Sequence, residues 1–197
     1  MLTAADSAAL ALLDAREPLS PGQRTIVRTL SLFGEPALRF ATARGIRVVS
    51  LAYRERFAHA SAALRRLAVD VDAWPAPPAG LFVVEERTMY LRSRSPMTVA
   101  HEFGHALDCA LGDGTYRSGS DPLVREAFQA AREFVTPYAA TGLDEYFAEG
   151  LRAYVGANDA HSLWPRASRE QLRRLDPPMF EYIRGLFERE FTGVRVR

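Results

Sequence analysis

His101, Glu102 and His105 stand in the pentad His101-Glu102-Phe103-Gly104-His105. On a helix, residues four apart share a face, so the two imidazoles can present ring nitrogens to a single metal ion. Glu102 lies further round the spiral, too far to be a ligand but well placed to take a proton from a water on that ion. The pattern points to zinc-dependent hydrolysis with Glu102 as general base. On the pentad alone, the competing reading is a core helix whose histidines make ordinary hydrogen bonds.

A catalytic zinc takes three protein ligands and keeps one position open, so a third ligand must come from elsewhere in the chain. By residue type His59 and His161 qualify, the second in the loop-like run Asn158-Asp159-Ala160-His161-Ser162. Glu145 is the stronger candidate. In Leu143-Asp144-Glu145-Tyr146-Phe147-Ala148-Glu149, Glu145 and Glu149 share one helical face, with Phe147, Leu151 and Tyr154 as apolar backing. Two carboxylates one turn apart repel on an exposed helix, and on a cation they change meaning. Glu145 is therefore expected to ligate the metal, and Glu149 to accept the outer N–H of a ligating histidine and fix its tautomer. For Asp144 and Glu149 the alternative is a solvated acidic face. Asp108, three residues past His105, either orients that histidine or is solvated.

Taken together, His101-Glu102-Phe103-Gly104-His105-Ala106-Leu107-Asp108, then Tyr138, then Glu145-Tyr146-Phe147-Ala148-Glu149 resembles the catalytic domain of anthrax lethal factor and the related Pro-Pro endopeptidases. The resemblance runs from about Gly80 to about Phe187, and little before residue 80 compares. It implies a zincin-type metallopeptidase, one Zn2+ per chain held by His101, His105 and Glu145, and a catalytic Tyr138. In that family a tyrosine seven residues before the ligating glutamate assists catalysis, and Tyr138 stands seven residues before Glu145. A hydroxyl so placed can donate to a developing oxyanion; otherwise Tyr138 is a buried ring tying down a loop.

The elements that must carry these groups are legible in part. Ser95 and Pro96 mark a helix start. Val99, Phe103, Ala106, Leu107, Ala110 and Leu111 recur at three-and-four spacing, and Gly112-Asp113-Gly114 is a stop, which predicts a helix over 96–111. Further helices are predicted over 5–16, 22–32, 36–43 and 54–68, with a strand over 46–51. Trp74-Pro75-Ala76-Pro77-Pro78-Ala79-Gly80 reads as a loop. Two strands follow around Glu85-Glu86-Arg87, and Thr88–Arg92 is the expected edge strand, able to pair with an extended peptide substrate. A helix from Asp121-Pro122 to about Val135, the Glu145 helix and a last helix near 179–190 complete the chain. The expected fold is α+β, a small mixed sheet with an edge strand beside a mainly helical body. One domain spans 1–197, with a helical part and one strand over 1–79 and the catalytic core over 80–190.

With 197 residues, 48% hydrophobic content and a net charge of +1, the chain is long and apolar enough to bury a substantial core. Its basic residues are interleaved with Asp and Glu, which argues against nucleic acid as a partner. The Ala/Leu-rich stretch Leu2–Leu13 contains Asp6, lacks a basic flank and is too short to span a bilayer. The expected location is the cytoplasm, or outside after export without a cleavable signal peptide. The single Cys rules out a disulfide within the chain, and Cys109 is expected to be a buried, inert thiol. Two other functions fit the same residues: a cytoplasmic regulatory protease that cuts a transcriptional repressor, and a non-catalytic zinc-binding domain. The latter ranks last, since structural zinc sites are closed by four ligands and favour Cys.

Overall fold

The computed structural model describes residues 2–13, 18–160 and 166–193. His161 and residues 14–16 of the first predicted helix lie outside them. Chain order runs α1 Ala4–Leu13, α2 Pro21–Ser31, α3 Gly34–Ala43, β1 Arg47–Ser50, α4 Phe57–Ala60 and α5 Ala62–Arg66. Then come β2 Gly80–Val83, β3 Thr88–Leu91, α6 Pro96–Leu111, α7 Pro122–Ala130, α8 Leu143–Val155, α9 Arg169–Leu175 and α10 Pro177–Gly185. The architecture is α+β: a helical body with one small mixed sheet. No described helix is long and apolar enough to cross a membrane.

Local chemistry explains the boundaries that matter for the site. The Ser95 side chain accepts from Thr98 N and Pro96 occupies the first turn, so α6 starts where a cap and a missing N–H place it. Gly112 ends it, because a Cβ there would stand 2.1 Å from the Thr115 carbonyl oxygen. α8 stops at Gly156, whose φ of 71° is the left-handed cap that glycine adopts without strain. Midway, α6 and α8 cross closely. A Cβ on Gly104 would lie 2.7 Å from Ala148 Cα, so only glycine allows this approach. Phe103 and Leu107 of α6 are buried beside Phe147 and Leu151 of α8 in the main core, where Phe33 meets Phe103 edge-on at 4.8 Å.

The sheet departs from expectation. Its order is β1-β3-β2, with β1 parallel and β2 antiparallel to β3. Thr88–Leu91 is thus the central strand, and the edge beside α6 is β2. The reason lies in burial: Met89 and Leu91 face the main core, while Tyr90 faces a second one with Leu51, Phe57, Leu64 and Val71. A strand buried on both faces takes a neighbour on each side, and β1 supplies the second one.

Three helices also differ from the sequence reading. The 54–68 segment splits at Ser61, fully buried, whose hydroxyl accepts from Leu64 N and starts α5 anew. α7 ends at Ala130, well short of Val135. The last helix begins at Pro177, capped by Asp176, and continues as a π-helical turn over Leu186–Glu190. α9 was not anticipated, although Ser168 and Gln171 form a capping box at its start.

Candidate metal centre

α6 carries His101, Glu102 and His105, α8 carries Glu145 and Glu149, and the 3-10 turn Tyr138–Thr141 carries the tyrosine. The close crossing at Gly104 sets the two helices face to face. His101 Nε2 and His105 Nε2 stand 3.1 Å apart. Glu145 Oε2 is 3.1 Å from the first and 3.4 Å from the second. Among the described residues these three form a group whose ligand atoms all lie within 4.8 Å of one another. His59 is exposed on α4 and has no part in it.

The donor set suits a zinc ion. His101 Nε2, His105 Nε2 and Glu145 Oε2 crowd within 3.1–3.4 Å of one another, and when the imidazoles are neutral all three can offer lone pairs to one point. A cation at their meeting point would satisfy all three, and two histidines with one carboxylate are a ligand set zinc takes. Burial works against charge on His101, but Glu145 and Glu149 outweigh it and raise the imidazolium to about 10. The Glu145 carboxyl meets the same cost of burial, and the two histidines hold it well below the usual carboxylate range.

Glu102 is not one of these three and lines the cleft beside His101. It is 8% exposed, and burial raises its pKa, only partly offset by His101, His105 and the backbone N–H of Phe82. A raised carboxylate is a better proton acceptor at neutral pH. The first residue of β2 lies directly on it: a Cβ on Gly80 would be 2.6 Å from Glu102 Cγ. Tyr138, 40% exposed, donates its hydroxyl to Glu145 Oε1 at 3.0 Å, and its ring centroid is 5.4 Å from that of His101. Burial, then the charge of Glu145, raises the phenol's pKa, so it stays protonated as a donor.

Glu102, His101 and Tyr138 line an open cleft of about 260 Å3 with Pro78, Ala79 and Gly80 on one rim and Met97 and Thr98 on another. A larger groove of about 590 Å3 runs between α7 and α10. It holds no histidine, and two of its charges, Arg117 and Glu190, pair with each other at 3.3 Å. The smaller cleft is the one with chemistry.

The outer residues divide. Glu149 is 2% exposed and its Oε1 lies 2.9 Å from His101 Nδ1, so it faces His101 and not solvent. Asp108 does not orient His105. Its two oxygens accept from Ser118 N at 2.8 Å and Ser118 Oγ at 2.5 Å, and His105 Nδ1 has no hydrogen-bond partner. Asp108 is fully buried, and burial lifts its pKa to about 6. From α6 its side chain turns to the segment after Gly112 and holds that loop; His105 rests instead against the Tyr116 ring, 5.6 Å away. Two residues escaped the sequence reading. Arg152, three positions past Glu149, is fully buried and forks onto both its oxygens at 2.9 and 2.8 Å. Thr136 donates to Glu149 Oε2 at 2.6 Å. The i,i+3 spacing could have suggested Arg152; nothing local marks Thr136.

Neither a protein-family model nor a curated protein matches the sequence. Among solved structures, that of the Pro-Pro endopeptidase (PPEP-2) from Paenibacillus alvei is similar, with a TM-score of 0.63 and 18% identity over 93% of this chain and 100% of that one. At that identity the two share a fold, the helical body with its small sheet.

Proposed function

We propose that the chain is a zinc-dependent endopeptidase. The observation that carries this reading is the convergence of His101 Nε2, His105 Nε2 and Glu145 Oε2 within 4.8 Å, beside a buried Glu102 in an open cleft. A zinc ion held by those three atoms would acidify a water and polarise the scissile carbonyl. Glu102 takes the proton of the attacking water and then delivers it to the leaving amine nitrogen as the C–N bond breaks. Tyr138 turns its hydroxyl from Glu145 to the oxygen that gains charge, where such a donor contributes about 2.7–4 kcal/mol. Glu149 holds the Nδ1–H tautomer of His101, leaving Nε2 free for the metal.

The peptide would lie extended along the outer edge of β2 and the Pro78–Ala79 stretch before it, which replaces Thr88–Arg92 in this role. The cleft walls at Pro78, Ala79 and Met97 carry no charge, which suits uncharged residues around the scissile bond. Pro-Pro sequences, named for the similar enzyme, are among these. A purely structural zinc fits less well, because among the described residues three ligand atoms converge, one short of a closed site, and His101 lines the open cleft. A protease acting on a repressor would use the same machinery and differ only in its target. Chelation should abolish hydrolysis of peptides by the purified protein and added zinc should restore it, while His101→Ala and Glu145→Ala should lose both metal and turnover. Full turnover in either variant would overturn the ligand assignment.

A further inference from the structure

Each oxygen of the buried Glu149 carboxylate has two donors. Oε1 meets His101 Nδ1 at 2.9 Å and Arg152 Nε at 2.9 Å; Oε2 meets Arg152 Nη2 at 2.8 Å and Thr136 Oγ1 at 2.6 Å. The guanidinium is anchored in turn, its Nη1 reaching the Ala157 carbonyl at 3.2 Å and Asn158 Oδ1 at 3.1 Å. A bidentate fork fixes the plane of a carboxylate as well as its place. Glu149 is therefore a fixed point, and whatever bonds to its remaining lone pairs is located by it.

Two groups do so. One is His101, a ligand. The other is Thr136, 1% exposed, whose Oγ1 also accepts from Ala139 N at 3.3 Å. Ala139 follows Tyr138 in the 3-10 turn, and between Thr136 and Tyr138 stands Pro137, whose ring fixes its own φ. Little freedom separates the threonine from the phenol that lies 3.0 Å from Glu145.

Resting on the peptidase reading above, we propose that Thr136 is a positioning residue: its hydroxyl ties the Tyr138 turn to the carboxylate that orients His101, so that metal ligand and oxyanion donor are set as one unit. An ordinary buried threonine would add stability without coupling the two.

Thr136→Val removes both bonds and keeps the branched shape, Thr136→Ser keeps the hydroxyl, and Thr136→Ala replaces the Val variant should that one fail to fold. Two readouts need no peptide. Zinc affinity by chelator competition should fall about 3- to 10-fold in Thr136→Val and not at all when Glu149→Gln is already present. Hydrogen exchange at the Ala139 amide should quicken in Thr136→Val and not in Thr136→Ser. On any peptide the wild type cleaves, Thr136→Val should lower kcat about tenfold with KM nearly unchanged, a loss that shrinks to about twofold or less on Tyr138→Phe and is rescued by Ser. Unchanged zinc affinity and Ala139 exchange in Thr136→Val, or equal and additive losses in the Val and Ser variants, would overturn the proposal. A protein that shows the coupling in affinity and exchange but cleaves no peptide would refute the peptidase reading and leave the tie standing.

Discussion

His101 sits between two carboxylates, Glu145 at 3.1 Å and Glu149 at 2.9 Å, and their pull outweighs burial to raise its pKa to about 10 from 6.5. In the metal-free protein this imidazolium contributes stability that is full below pH 6.5 and lost as pH rises towards about 10. A zinc ion bound there would have to displace its proton. We predict that binding near pH 7.5 releases about one proton per ion from His101, and that affinity rises with pH over the range 6.5 to 8.5. Titration calorimetry in buffers of different ionisation enthalpy measures the release; binding without it would mean that His101 is already neutral and that the carboxylates do not hold its charge. The melting-temperature gain on adding zinc should widen over the same range. Asp108 belongs to a different circuit. Asp108→Ala leaves Ser118 N and Oγ without their acceptor, so it should cost about 1–3 kcal/mol of stability. Zinc affinity should stay at the wild-type level, and a large loss of metal would show that Asp108 serves His105 after all.

At the scale of elements, the candidate metal centre depends on how near α8 comes to α6. An alanine at Gly104 would put a Cβ 2.7 Å from Ala148 Cα and 3.0 Å from its Cβ, and backbone does not step aside as a long side chain would. The helices must part. Gly104→Ala is predicted to destabilise by about 1–3 kcal/mol and to weaken zinc binding about tenfold, because Glu145 and Glu149 move away with α8. A variant that loses stability but binds zinc as the wild type does would separate the crossing from the site. α6 was legible in the sequence because its signals are local: Ser95 and Pro96 at one end, Gly112 at the other, and the apolar spacing between. β3 was misread as an edge because its second neighbour, β1, arrives from far upstream, and pairing across such a gap leaves no local mark. Ser61 broke a predicted helix because its hydroxyl caps a new one, a choice set by the buried packing around it. Thr136 was invisible for the same reason as the β1–β3 pairing: its partner, Glu149, comes from another element.

Across the molecule, the residues before Gly80 are part of what holds the pentad helix. β1 adds a parallel strand to β3, Phe33 packs edge-on against Phe103, and Arg44 Nη1 donates to the Ala110 carbonyl at 2.7 Å near the end of α6. Ile26, Leu30 and Leu38 share one buried cluster with Leu107 and Leu151. A chain starting at Gly80 is therefore predicted to lack cooperative unfolding and tight zinc binding, as calorimetry and metal titration would show; a stable, zinc-binding fragment would mean that the first 79 residues only cover the core. The proposed chemistry divides three groups that would hold metal from one that would move protons. Its most direct test sets the zinc-loaded wild type and Glu102→Gln side by side on one peptide library, with metal content measured in both. The wild type should cleave, and Glu102→Gln should keep its zinc while losing about 10²-fold or more of the turnover. Near-normal cleavage by a zinc-loaded Gln variant, or no cleavage by a zinc-loaded wild type, would contradict it.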